Sequence, residues 1–189
     1  MNTLLLLFLL FKFISASNLT STTSSCYCTT VPCPISGANY LTEGGGGTGT
    51  YYYSLHNNIP VITSAHVRIS ISNMDKGSDT TSCTQNYARS LDDDGVQDCD
   101  AGHILAHRLG GPGNQPINIF PQDLTINRGS YAQFEDGIYQ CITTKGVSYA
   151  DLAWTFYYSS TSKTKPKSLV YDVKYTGGSC LSTSKTFSN

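Results

Sequence analysis

Asp98-Cys99-Asp100-Ala101-Gly102-His103-Ile104-Leu105-Ala106-His107-Arg108-Leu109-Gly110-Gly111-Pro112-Gly113 is the stretch on which the reading of this chain turns. It is followed by Asn118-Ile119-Phe120-Pro121-Gln122, by Ile126-Asn127-Arg128-Gly129-Ser130-Tyr131, and by Phe134-Glu135. A histidine next to a glycine at a strand end can approach a substrate closely. Its ordinary pKa near 6.5 suits it to take a proton from water around neutral pH. An asparagine entering a helix, with a glutamate eight residues on, can hold a hard cation partly through water, as magnesium tolerates. Base plus cation is the minimum for hydrolysing a phosphodiester. Arg108, Arg128 and the lysines at 163, 165 and 167 are candidate phosphate contacts. Each element also has a structural reading: a satisfied histidine, an N-capping asparagine, a Gly-Gly-Pro-Gly turn. His103 and His107 have the H-x-x-x-H spacing of a zinc pair, but Ile104 stands where a zinc hydrolase carries glutamate.

Working outward, Tyr131, Phe134, Ile138 and Cys141 fall at helical spacing. Residues 67–72 (Val-Arg-Ile-Ser-Ile-Ser) alternate as a half-buried strand does. Leu152 to Tyr158 and Leu169 to Tyr175 are two more strands, the second with Leu169, Tyr171, Val173 and Tyr175 inward, joined by a hairpin loop over 159–167. Residues 73–98 look like a polar connection. Its Asp92-Asp93-Asp94 run lacks calcium-loop spacing and reads as a solvated loop. Strands with few helices make an α+β domain.

Leu4 to Phe11 is an unbroken apolar run, followed by Lys12 and Ser15-Ala16-Ser17. It is too short to span a bilayer and reads as a secretory signal peptide over 1–17, with no membrane association after cleavage. Residues 18–50, rich in Ser, Thr and Gly, form a tail carrying Cys26, Cys28 and Cys33; residues 51–189 form the domain. Seven cysteines in a secreted chain suggest about three disulfides and one leftover thiol, with the pairing open. Asn18-Leu19-Thr20 is a glycosylation sequon. The chain has 12 basic and 13 acidic side chains, and only 13% of its residues are charged, about half the usual ~25%. A broadly basic nucleic-acid coat is excluded; any such contact is made at a local site.

The span from Asp100 to Glu135 resembles the ββα-metal (His-Me finger) superfamily in its DNA/RNA non-specific endonuclease branch, close to the nuclease domains of secreted bacterial toxins. Asp100-Ala101-Gly102-His103 matches D-x-G-H, Asn118 to Gln122 matches N-x-x-P-Q, and Asn127 with Glu135 matches the asparagine-led helix, in order and spacing. The resemblance implies an antiparallel sheet around a ββα-metal core. It implies His103 as general base and Asn127 as direct ligand of one Mg2+, with Mn2+ as a substitute. Asp100 and Asn118 are implied to order the site and Glu135 to lie near the cation's water shell; Arg128 stays a candidate phosphate contact beside them. The substrate implied is DNA and/or RNA without sequence specificity, and protein partners stay open. The better-known members have D-R-G-H, whereas this chain has Ala101. The competing class is a secreted binding protein on the same fold, without chemistry.

Overall fold

The computed structural model describes residues 40–41, 48–95 and 99–189. The expected signal peptide, the sequon and Cys26, Cys28 and Cys33 lie outside the described residues. The described strands are β1 (Tyr40–Leu41), β2 (Thr48–His56), β3 (Ile59–Ile69), β4 (Cys99–His103), β5 (Ile119–Asp123), β6 (Val147–Tyr157), β7 (Ser168–Gly177) and β8 (Thr183–Ser188). The helices are α1 (Ser82–Leu91), the single turn α2 (Leu124–Ile126) and α3 (Ala132–Thr144).

Six strands make one antiparallel sheet in the order β1-β2-β3-β6-β7-β8, and β4 and β5 pair separately as an antiparallel ribbon. The α+β class expected from the sequence is observed. In β7, Leu169, Tyr171 and Val173 are buried while Asp172 and Lys174 are exposed, as the alternation requires. The inner face of the sheet meets α3 and the loop after β4. There Trp154, Tyr171, Tyr51, Tyr131, Leu152 and Leu169 are all essentially buried. Trp154 and Tyr171 pack with ring centroids 4.4 Å apart, Phe120 and Phe156 5.1 Å apart. Such contacts add to the burial term that drives the fold.

The polar connection expected over 73–98 instead contains α1. Thr81 caps it, its hydroxyl accepting from Thr84 N at 3.2 Å while Thr84 Oγ1 accepts from Thr81 N at 2.9 Å. Only Thr84, Ala88 and Leu91 of this helix are buried, too faint a stripe to read from the sequence. The Asp92-Asp93-Asp94 run is not a solvated loop. Lys165, almost fully buried, sits 3.1 Å from Asp92 and 2.6 Å from Asp94, and Asp93 accepts the backbone N–H groups of Thr164 and Lys165. The buried ammonium of Lys165 and the buried carboxylate of Asp92 need this pairing. Lys163 is tied to the same run through Asp93 O at 2.7 Å. Lys163 and Lys165 brace the loop after α1; the burial of Lys165 removes it from the expected phosphate contacts, while Lys167 is exposed.

Cys141 and Cys180 form a disulfide between the end of α3 and the β7–β8 connection. Cys83 is also disulfide-bonded, and Cys99 is the free thiol among the described residues. No helix among them is long and apolar enough to cross a membrane.

Candidate active site

β4 carries Asp100 near its start and His103 at its end, and pairs Asp100 with Gln122 and His103 with Ile119 on β5. β5 leads into α2, which Asp123 caps through Ile126 N at 2.9 Å. The next turn, Asn127–Tyr131, is a π-type turn broken at Gly129, whose backbone leaves the helical region. Such wide turns often re-aim side chains at functional sites. Here the turn swings Asn127 and Arg128 back onto β4. Arg128 grips Asp100 with two bonds of 2.8 Å each, and Asn127 Nδ2 donates to Asp100 Oδ2 at 3.0 Å. Burial alone would raise the Asp100 pKa; the bonds from Arg128 and Asn127 outweigh it and hold the carboxyl below its ordinary value. With Nδ2 committed, the acceptor that Asn127 has left to offer is its Oδ1.

Asn118 is fully buried behind the loop that follows β4. Its Oδ1 accepts from Leu105 N and Tyr51 Oη, both at 2.9 Å, and its Nδ2 donates to Leu105 O at 2.9 Å and Pro112 O at 3.4 Å. It braces residues 105–112 and has no surface for substrate.

His103 points its Nε2 at Ser78 O, 3.3 Å away. A carbonyl only accepts, so Nε2 carries the proton in the neutral ring and Nδ1 keeps its lone pair. Burial holds the His103 pKa below the ordinary imidazole value, against the weaker opposing effect of Ser78; neighbouring His107 lowers it further and Asp79 raises it. Gly113 makes this fit possible, because a Cβ there would lie 2.4 Å from Ser78 O and 2.5 Å from His103 Nε2. The backbone of His103 is fixed too. Tyr131 Oη donates to His103 O at 3.3 Å and Ile104 O at 3.2 Å, and itself accepts from Trp154 Nε1 at 3.1 Å.

His103 and Glu135 line one cavity of about 210 Å³, together with His107, Arg108 and Asp136. Glu135 is eight residues past Asn127, with Tyr131 midway. Its Oε1 is buried without a hydrogen-bond partner, and burial, with Asp136 nearby, pushes its pKa well up. A carboxylate in that state suits a divalent cation and its bound water. Among the described residues no three His, Cys, Asp or Glu side chains gather closely enough to hold a metal, so a zinc centre at His103 and His107 has no support there. A cation held by Asn127 and water needs no such cluster. Asp100, Asn127 and Arg128 form their own cluster and do not line the cavity. Larger depressions exist, the largest described being an open trough of about 860 Å³ over Arg68, Asp151 and Lys174 on the six-stranded sheet, but they contain none of the expected site residues.

Comparison with known proteins gives the family and the fold. A family model described as DNA/RNA non-specific endonuclease matches residues 43–177. The chain belongs to the DNA/RNA non-specific endonuclease family. A curated relative named probable deoxyribonuclease RhsA, from Dickeya dadantii (strain 3937), is 40% identical over 116 residues. That match spans 61% of this chain but only 8% of the relative's length. Among solved structures, NucA from Streptococcus agalactiae with magnesium ion bound superposes with a TM-score of 0.56 at 12% identity, covering 81% of this chain and 83% of that one. NucA with no metal bound gives 0.51 at the same identity, covering 80% and 83%. At that identity the likeness speaks for the fold, an α+β domain around a ββα core.

Within this family member, three groups that shape the site were not evident in the motif: Ser78, Asp79 and Gly113. Asp79 accepts from His107 Nδ1 at 2.8 Å. The only prior signal was Gly113, which has the look of an ordinary turn residue. Arg108 is the cation that reaches the His103 cavity in a chain with Ala101. Its guanidinium lies 3.9 Å above the Tyr139 ring and pairs with Asp136.

Proposed function

We propose that this protein is a secreted, magnesium-dependent endonuclease that hydrolyses DNA and RNA without reading base sequence. The observation that carries the reading is His103, with Nε2 turned to the Ser78 carbonyl, in the same cavity as the unpaired buried oxygen of Glu135. His103 Nδ1 takes the proton of the attacking water. Asn127 Oδ1, beside this cavity and held by the bond from its Nδ2 to Asp100, would be the direct protein ligand of the cation. Glu135 holds the cation's water, and Mn2+ fits the same oxygen ligands. When bound, the cation stabilises charge on the phosphoryl oxygens and on the leaving oxygen. Asp100 positions Asn127 and Arg128, and Asn118 positions the loop that ends at the site. Arg128, exposed, and Arg108, at the cavity, provide positive charge for the phosphate backbone. The products are a 5′-phosphate and a 3′-hydroxyl. Affinity rests on phosphate contacts, so cleavage weakens as salt rises.

The test is digestion of supercoiled plasmid and of RNA by the mature oxidised protein, with magnesium, with EDTA, and with His103→Ala and Asn127→Ala alongside. Cutting that needs the metal and vanishes in both folded variants is the expected result. Undiminished cutting in EDTA, or by either variant, refutes the assignment.

A further inference from the structure

The loop between the 3-10 turn at Ile71–Asn73 and α1 orients two histidines with two consecutive residues. Ser78 gives its carbonyl to His103, and Asp79 gives its carboxylate to His107. The loop is stitched to the segment after β4 by Asp75 N to Arg108 O at 2.9 Å, Ser78 N to Gly111 O at 3.0 Å and Gly113 N to Ser78 O at 3.0 Å. Gly77 permits the approach, since a Cβ there would lie 2.3 Å from His107 O. The two imidazoles line the same cavity yet have chemically different partners. A carbonyl leaves its histidine with a free lone pair, as a base requires. A carboxylate supplies the negative charge that an imidazolium needs, as an acid requires.

We propose that His107 is the general acid of the hydrolysis, protonating the 3′-oxygen as it leaves, with Asp79 as its positioning residue. The inference rests on the nuclease reading above. Nδ1 of His107 is taken by Asp79, so Nε2 is the nitrogen left for the cavity. His103, Arg108, Glu135 and Asp136 face the same space, with Asp136 paired to Arg108 and Asp79 supplying the charge opposite His107. The step balances. A water oxygen bonds to phosphorus and its proton passes to His103 Nδ1. The bond from phosphorus to the 3′-oxygen breaks, its electron pair stays on that oxygen, and the oxygen takes the proton from His107 Nε2. His107 ends neutral with its Nδ1–H still on Asp79, and both rings recover their starting states by exchange with solvent.

The experiment uses two oligonucleotides of the same sequence, one with the natural 3′-oxygen at the scissile linkage and one with a bridging 3′-sulfur. Sulfur leaves as a thiolate and needs no acid. Rates are measured in Mn2+ for the wild type, His107→Gln, Asp79→Asn and His103→Gln, each checked for an unchanged melting temperature. His107→Gln is expected to lose on the order of 10²–10⁴-fold on the oxygen substrate, the usual range for a positioned acid. On the sulfur substrate it should lose under about tenfold, because the acid's contribution is no longer required. Asp79→Asn follows the same pattern with a smaller loss, and His103→Gln loses on both substrates. Equal losses by His107→Gln on the two substrates, or none on oxygen, overturn the proposal while leaving the nuclease reading standing. A wild-type protein that cuts neither substrate overturns both.

Discussion

Replacing Asn118 by alanine separates a brace from a catalytic group. The side chain is fully buried and makes four hydrogen bonds: two accepted by Oδ1 and two donated by Nδ2. Alanine leaves Leu105 N–H, Leu105 C=O and the Tyr51 hydroxyl without this partner in a space that excludes water. At about 1 kcal/mol net for each bond, the loss is about 4 kcal/mol, more if the stranded groups find nothing else. Against a total stability of about 5–15 kcal/mol this is a large fraction. At roughly 2–4 °C per kcal/mol for a chain of this size, the melting temperature should fall by about 8–16 °C. Thermal unfolding by circular dichroism, on oxidised protein in EDTA, measures it without involving the cation. Activity should fall too, because the loop from Ile104 to Pro112 carries His107 and Arg108. A variant that melts within a degree or two of the wild type but has no activity would refute the brace and make Asn118 a direct participant.

Glu135→Gln tests the cation. A carboxyl raised by burial contributes stability below its ordinary range and loses it as pH rises through the raised folded value. At neutral pH in EDTA the variant should therefore melt higher than the wild type, and it should lose the wild type's gain on adding magnesium; an equal magnesium gain in both counts against Glu135 as a holder of the cation's water. The lowered His103 pKa places the acid limb of kcat/KM below about 6.5, the ordinary imidazole value. By the same sign, His103's contribution to stability is present above that pH and is lost as pH falls through the folded value; an acid limb above 6.5 in the pH–rate profile contradicts this. Cys141→Ser with Cys180→Ser opens a link across a sequence separation of 39. Loop-closure entropy puts the cost near ~4 kcal/mol in urea unfolding, and a cost close to zero would mean that the reduced chain holds these segments together without the bond.

The elements with strong periodicity could be read directly from the sequence. β7 alternates, α3 presents Ile138 and Ile142 to the sheet, and D-x-G-H sits at the end of a strand because glycine beside histidine lets Gln122 pack against β4. The motif spacing placed Asp100 and His103 together and Asn127 one helical stretch ahead of Glu135; that Asn127 bonds to Asp100, and that His103 shares a cavity with Glu135, was not legible in it. What stayed hidden depended on tertiary partners. Residues 82–91 are polar around nearly the whole helix, and the threonine capping pair that starts it lacks the glutamate that usually announces such a cap. The charge of Asp92 to Asp94 suggests solvent until Lys165, distant in sequence, is seen to neutralise it. Ser78 acts through its main-chain carbonyl, which any residue possesses, so no side-chain pattern could have pointed to it.

β3 and β6 are neighbours in the sheet, with Ile69 opposite Ala150, yet the whole of residues 70–146 lies between them in the chain. The ββα unit is thus an excursion from the middle of a sheet. Pairing these central strands requires closing that long segment, and closure entropy delays such pairing relative to the hairpins β2–β3 and β6–β7 on either side. Two separate hairpins should form early and meet late, and the order acquired by the excursion sets when they can meet. A substitution that slows the collapse of residues 70–146 would therefore appear as slow sheet formation, far from the place where the sequence was changed.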